Sequence, residues 1–392
     1  MSVDPTAQIL SILAELVSIP SVYPPGDTSE IAAYLDRTLS EMGYGTHIHK
    51  LDHGPHNVVA RSGAGEPSLV LNAHVDTVDA GDLACWSRPP FQLTIDGGRA
   101  YGLGAANCKG SAAVQLWLAR QLADKGGPAR GEIVFTFVGD EESLGPNGMS
   151  ALRDLGVVKP DMLLLGAPTE NSLITAERGV LWAEVTTTGQ SAHAGQPERG
   201  DNAILRMMRV LRRVDDELGR RLQARHSDGM RSTYNIGTIS GGRNTNVVPS
   251  GCTAQIDRRL LPTETVADAF QELQSIVDSA GEPAGCVSLR QIRGTNGFVA
   301  TEEKQLVRAL RAAITQVTGQ PAAFTTAIGV SDGRYFADDG IEIVNFGPGE
   351  GEQGHASNES VNLDSLRTSA LVLEQAITEL LGTRRAAAEM EG

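Results

Sequence analysis

The chain has 392 residues, with 48 acidic against 33 basic side chains and a formal net charge of −15. That balance argues against a nucleic-acid or anionic-membrane surface, and the length suffices for two domains with a large buried core. The four cysteines, Cys85, Cys108, Cys252 and Cys286, form no C-x-x-C pair and no dense framework, so a reduced, cytoplasmic chain is the simplest expectation.

The N-terminal stretch carries apolar residues at helical spacing with acids among them, unlike the basic start and unbroken apolar run of a signal peptide. No stretch is long and apolar enough to span a membrane. Residues 6–18 predict an amphipathic helix stopped by Pro20. Residues 28–43 predict a second, with Thr28 and Ser29 as candidate caps and Gly43 at its close. "SLVLNAHVDTV" (68–78) is an apolar run breaking into polar residues, which is how a buried parallel strand ends at a site. A helix follows at 109–126. Then "GEIVFTFVGDEES" (131–143) and "DMLLLGAPTE" (161–170) repeat the pattern of a buried strand running into polar residues. Strands alternating with helices predict an α/β layer with a mainly parallel sheet, whose polar clusters gather at the strands' C-terminal ends.

From about residue 178 the pattern changes. "GVLWAEVTTTG" alternates as a half-exposed strand, and 201–226 predict a long basic helix with a solvated face. "STYNIGTISGG" and "CTAQIDRRLLP" predict strands, 264–280 a helix and 285–293 a last strand. That β-α-β-β-α-β order suits a ferredoxin-like unit. Helix and buried strand then return. The simplest account is a catalytic domain of residues 1–177 and 294–392 with an inserted lid of residues 178–293. The tail "RRAAAEMEG" is expected to fray.

Several polar clusters invite a chemical reading. In the H-x-D of His74 and Asp76, an imidazole can bind a metal through one nitrogen while a carboxylate orients the other. Asp140, Glu141 and Glu142 follow the next strand; at such a place acids can supply a metal ligand and a general base. His355 lies in the Gly-rich "GPGEGEQGHASNES". Taken singly, each has a bland alternative: a satisfied loop histidine, a solvated acidic turn, a surface histidine.

In combination they say more. The order H-x-D, YGxGAxxxKG, DEE, GxPTE, G-x-SAH, GGxxTNVVP, SDGR and GPG…GH resembles the acetylornithine deacetylase and succinyl-diaminopimelate desuccinylase family of dinuclear-zinc deacylases and peptidases, over roughly residues 5–380. The resemblance implies a zinc-peptidase-like α/β catalytic domain and a lid that mediates a homodimer. It implies that His74 binds one zinc with Asp76 behind it, that Glu141 is the general base, and that Glu142 and His355 bind the other zinc. His193 matches a lid histidine that reaches the partner subunit's site and supports the oxyanion. Asn246 and Arg334 fall in motifs that contact substrate, Arg334 at a carboxylate. Two positions depart from the pattern. Asn107 stands where the family has an aspartate bridging both zincs, and Ala167 where it has a carboxylate completing the His74 site.

Of three ligand carboxylates that would balance four positive charges, one remains, Glu142. Two dications about 3.5–4 Å apart would be poorly neutralised. The expectation is therefore one zinc or none. Three readings stand: a hydrolase with at most one metal, acting on an amino-acid-derived small molecule; a metal-independent enzyme doing proton transfer (epimerase or isomerase) or acyl transfer; and a non-catalytic binder. The intact DEE, SAH and SDGR segments speak against the last. Cys108 reads as a small buried apolar residue or, in the second case, as a thiol in the pocket. No nucleic-acid or membrane partner is expected.

Overall fold

The computed structural model describes residues 4–51, 54–227, 229–327 and 329–391. The chain divides into two compact units, one of Met1–Thr175, Ala300–Thr325 and Ser331–Gly392, the other of Ala176–Val299 and Thr326–Val330.

The first unit is built on an eight-stranded sheet in the order Phe324–Thr325, Leu173–Ile174, Glu342–Asn345, Met162–Leu165, Ser68–His74, Glu132–Val138, His56–Gly63 and Gly45–Lys50. The middle four strands run parallel to one another. Antiparallel pairs flank them, so the sheet is mixed, with its parallel strands at the centre. Every residue of Ser68–His74 is buried, which explains its mostly apolar run, and the one polar residue inside it, Asn72, is hydrogen-bonded to Asp332. The helices Thr6–Ser18 and Leu363–Leu381 pack on Lys109–Asp124, and Gln305–Thr318 packs on Leu363–Leu381. Lys109–Asp124 buries nearly its whole length, with Ala112, Ala113 and Ala119 among its contact residues. In register, His74 lies opposite Val138, which brings the polar ends of two parallel strands side by side.

The second unit is a four-stranded antiparallel sheet in the order Thr233–Gly241, Gly251–Leu260, Gly179–Thr188 and Val287–Thr295. With the helices Ala203–Gln223 and Val266–Asp278 this is the expected ferredoxin-like unit. The basic helix is amphipathic: Met207, Val210, Val214, Leu218 and Leu222 form its buried stripe. Asn202 caps it, accepting the N–H groups of Ile204 and Leu205 at 3.0 and 3.1 Å.

The tail segment that the sequence suggests as loose holds a helix, Arg384–Glu391, whose first N–H groups reach Gly127 and Lys125 carbonyls at 3.1 and 3.2 Å. Its alanines and glutamates are strong helix formers, and those two anchors hold its start.

The second unit also buries a charge. Arg258 is 1% exposed and lies 2.7 Å from Glu272 and 3.0 Å from Glu264; Arg225 adds contacts of 2.8 Å and 2.9 Å to the same two acids. Burial alone would raise the Glu272 carboxyl, but the Arg225 hydrogen bond and the Arg258 charge outweigh it and hold it at about 2. A depressed carboxyl contributes its stability in full above its ordinary value of 4.5 and loses it as pH falls towards 2. Thermal melts should therefore drop through that window. Glu272→Gln leaves Arg258 short of a partner and should cost about 3 kcal/mol at pH 7 while flattening the acid slope. Equal melting temperatures for variant and wild type at pH 7 would refute this.

Candidate active site

The site lies in the first unit, where the central strands end. His74 closes the buried strand Ser68–His74 and is 6% exposed. Its Nδ1 lies 3.1 Å from the Asp76 carbonyl oxygen and 3.5 Å from Asp76 Oδ1. Its Nε2 lies 3.2 Å from Asn107 Oδ1 and 3.9 Å from Glu141 Oε2. Burial opposes charge on this ring. The facing Glu141 carboxylate and the Asp76 hydrogen bond outweigh it, so His74 titrates well above the usual imidazole value. Asp76 is fully buried, and its Oδ2 also accepts the Glu142 N–H at 3.0 Å.

Asn107 sits at the turn into the Lys109–Asp124 helix, and its peptide bond to Cys108 is cis. Its side chain joins the two halves of the site. The oxygen faces His74, while Nδ2 donates to Glu142 Oε1 at 2.9 Å and lies 3.4 Å from His355 Nε2. His355 Nε2 is in turn 2.8 Å from Glu142 Oε1, a hydrogen bond that raises the pKa of His355. His355 is the most open of these side chains, 54% exposed.

Glu141 stands between His74 and Arg334, 3.9 Å from each. Burial, against the opposing charge of His74, pushes its carboxyl up to about 8. Arg334 is 3% exposed, and its Nη2 donates to the Tyr335 hydroxyl at 2.8 Å. Asp332 lies 3.9 Å from Nη2 and is held by Asn72 Nδ2 at 3.1 Å. Nη1 is buried without a hydrogen-bond partner among the described residues. A buried guanidinium nitrogen in that state favours an incoming anionic oxygen.

The structure thus brings together His74, Asp76, Asn107, Glu141, Glu142, His355 and Arg334. Ala167 lies in the loop after Met162–Leu165 and offers no side-chain donor. His193 and Asn246 belong to the second unit. They lie beside each other there: Ala194 N donates to Asn246 O at 2.9 Å, and His193 forms an isolated bridge with Val247. Both are exposed. Cys108 is buried, and its thiol donates to Gly166 O at 3.1 Å. Burial raises its pKa, which disfavours a thiolate nucleophile.

Sequence reasoning missed several residues. Glu359 and the Asn72–Asp332 pair are buried partners of the loops that form the site. Lys109 is fully buried, with Nζ donating to Leu16 O at 2.9 Å and Ile19 O at 2.8 Å, and burial pushes it down to about 7. Asp332 could have been found, since it sits two residues before Arg334 in the SDGR run. Lys109 is the lysine of the YGxGAxxxKG motif, but its burial and its partners in the first helix left no local signal, and neither did those of Glu359 and Asn72.

For a metal, His74, Glu141 and Glu142 place ligand atoms within 4.8 Å of one another. With His355 against Glu142, this imidazole and carboxylate set suits one dication such as zinc. Glu141, read from sequence as the base, is thus also within reach of that position.

Comparison with known proteins follows the same lines. The model of peptidase family M20/M25/M40 matches residues 70–379. An M20-family metallo-carboxypeptidase from Sulfolobus solfataricus superposes with a TM-score of 0.76 at 19% identity, covering 94% of this chain and 98% of its own. A tripeptidase from Staphylococcus aureus gives 0.75 at 23% identity, with 96% and 98% covered. A dinuclear metal-binding M20 peptidase from Bacillus subtilis gives 0.71 at 14%, with 96% and 99% covered. At these identities the likeness is one of fold.

Proposed function

The chain belongs to peptidase family M20/M25/M40, and on that premise we propose that it is an amidohydrolase working with at most one zinc ion. Its substrate would be an N-acyl amino acid or a small peptide-like amide with a free carboxylate. The order of motifs supports the narrower likeness to the acetylornithine deacetylase and desuccinylase branch.

The observation that carries this reading is the Asn107 amide. A bridging carboxylate offers an anionic oxygen to each of two cations. An amide offers one neutral oxygen, and here the other end is an NH2 donating to Glu142. Rotating the amide would only turn the NH2 towards His74. With Ala167 supplying nothing, Glu141 is the carboxylate left beside His74 Nε2, too little charge to balance a second dication next to the first.

A zinc ion held by Glu142 and His355, with His74 as third donor, would acidify a water and polarise the scissile carbonyl. Glu141 is the proton carrier. Its carboxyl is pushed up to about 8, and in its ionised form it takes a proton from water and passes it to the leaving amine. The open Nη1 of Arg334 receives the substrate carboxylate. Asp76 orients His74. Glu141→Gln should lower turnover of N-acyl amino acids by about 10²–10⁴-fold, measured by release of the free amine; unchanged turnover would place the chemistry elsewhere. The buried pair Glu141 and His74 beside Arg334 also favours a second reading, proton exchange at a carbon next to a carboxylate. Deuterium uptake from D2O by an amino-acid substrate, with no amide cleaved, would replace the first reading by this one.

The zinc count is testable by elemental analysis. The unmodified protein should hold one zinc or none. Asn107→Asp with Ala167→Glu should hold two, and either single change fewer. Two fully occupied zincs in the unmodified protein would overturn the charge argument.

We further propose a homodimer through the second unit, with His193 of one copy supporting the oxyanion at the site of the other and Asn246 contacting substrate. Support comes from the exposed apolar side chains Leu205 and Met208 on the Ala203–Gln223 helix and Ile239 on the edge strand Thr233–Gly241. His193→Ala and Glu141→Gln proteins, each nearly inactive, should recover part of their activity when mixed. A fully active monomer by light scattering would rule the arrangement out.

A further inference from the structure

Glu359 is 1% exposed, yet its carboxylate bonds main chain rather than another charge. Its Oε2 accepts the Gly104 N–H at 2.8 Å, and its Oε1 accepts those of Ala106 and Asn107 at 2.9 Å each. All three donors belong to the turn that carries Asn107. Backbone N–H groups converging in this way make a concave seat for an anion, and a carboxylate has enough lone pairs to satisfy all three. The main chain of Glu359 takes part as well: its carbonyl accepts the Gly102 N–H at 3.0 Å.

The residue lies four positions after His355, where that loop enters the strand Ser360–Asn362 paired with Arg99–Tyr101. One side chain therefore fastens two loops that are about 250 residues apart in sequence, one bearing Asn107 and the other His355. The loops approach closely. A side-chain carbon added at Gly354 would lie 3.2 Å from Asn107 Cβ.

We propose that Glu359 is a positioning residue of the active site: by holding the 104–107 main chain it sets the Asn107 amide between His74 and Glu142. An isosteric amide cannot do the same. Glutamine would keep an oxygen for Ala106 and Asn107 but turn its NH2 against the Gly104 N–H, donor facing donor. The inference rests on the reading of Asn107 as part of the site, but its main readouts need neither substrate nor metal.

The test compares wild type, Glu359→Gln and Glu359→Asp. In Glu359→Gln, hydrogen exchange of the segment 102–108 should quicken at least ten-fold, while the sheet interior stays as protected as before. The side-chain NH2 resonance of Asn107, assigned by its loss in Asn107→Asp, should leave its native position. Where the wild type cleaves an amide substrate, turnover should fall at least ten-fold with KM within about two-fold. Glu359→Asp keeps two acceptor oxygens one methylene further away and should restore part of each effect. An unmoved Asn107 resonance with unchanged exchange overturns the proposal. So does global unfolding of both variants, which would make Glu359 a general stabiliser. A wild type that cleaves no amide defeats the proposed hydrolase alone, because the resonance and exchange shifts would still stand or fall by themselves.

Discussion

The site depends on one constraint: its charges sit at the ends of buried strands, where water cannot solvate them, so each must be met by another protein group. Asp76 is met by His74 and the Glu142 N–H. Glu142 is met by Asn107 and His355. Glu141, with only 3.9 Å contacts, is the least well compensated, and its carboxyl rises to about 8 in consequence. Weak compensation is what a proton carrier needs, since a tightly paired carboxylate would hold its charge at all working pH values. Asp76 and Glu142, held by direct hydrogen bonds, frame this group.

The second unit solves the same problem in the opposite way. Arg258 is 1% exposed, as deeply buried as Glu359 beside the site, but Glu264 and Glu272 satisfy it closely and Arg225 shares them. There the balance pushes the Glu272 carboxyl down rather than up. Burial alone predicts neither outcome. The distance and number of opposing charges decide whether a buried carboxyl is locked or available.

How much of this could be read beforehand follows from which forces are local. The strands Ser68–His74 and Glu132–Val138 announce themselves by mostly apolar runs that break into polar and acidic residues, and the inserted unit by its change to alternating strands. His74, Glu141 and Glu142 were legible because they stand at those breaks, and His355 because it closes a recognisable order of motifs. Glu359 was not, because its partners are N–H groups of Gly104, Ala106 and Asn107, and a main-chain donor leaves no trace in residue identity. Asn72 was hidden by its place inside a strand. Its link to Asp332 spans 260 positions. The terminal helix was not legible because composition suggested a loose end, while its anchors at Gly127 and Lys125 are tertiary.

Lys109 gives the first helix a role that its distance in sequence conceals. The amine is buried two residues beyond Asn107, and its named acceptors are the carbonyls of Leu16 and Ile19, at the end of Thr6–Ser18 and just past it. The recognisable family segment starts at residue 70, but the footing of the site starts some fifty residues earlier. A fragment trimmed to the family segment would keep every candidate ligand and strand an amine in the core with neither acceptor, beneath the very turn that presents Asn107.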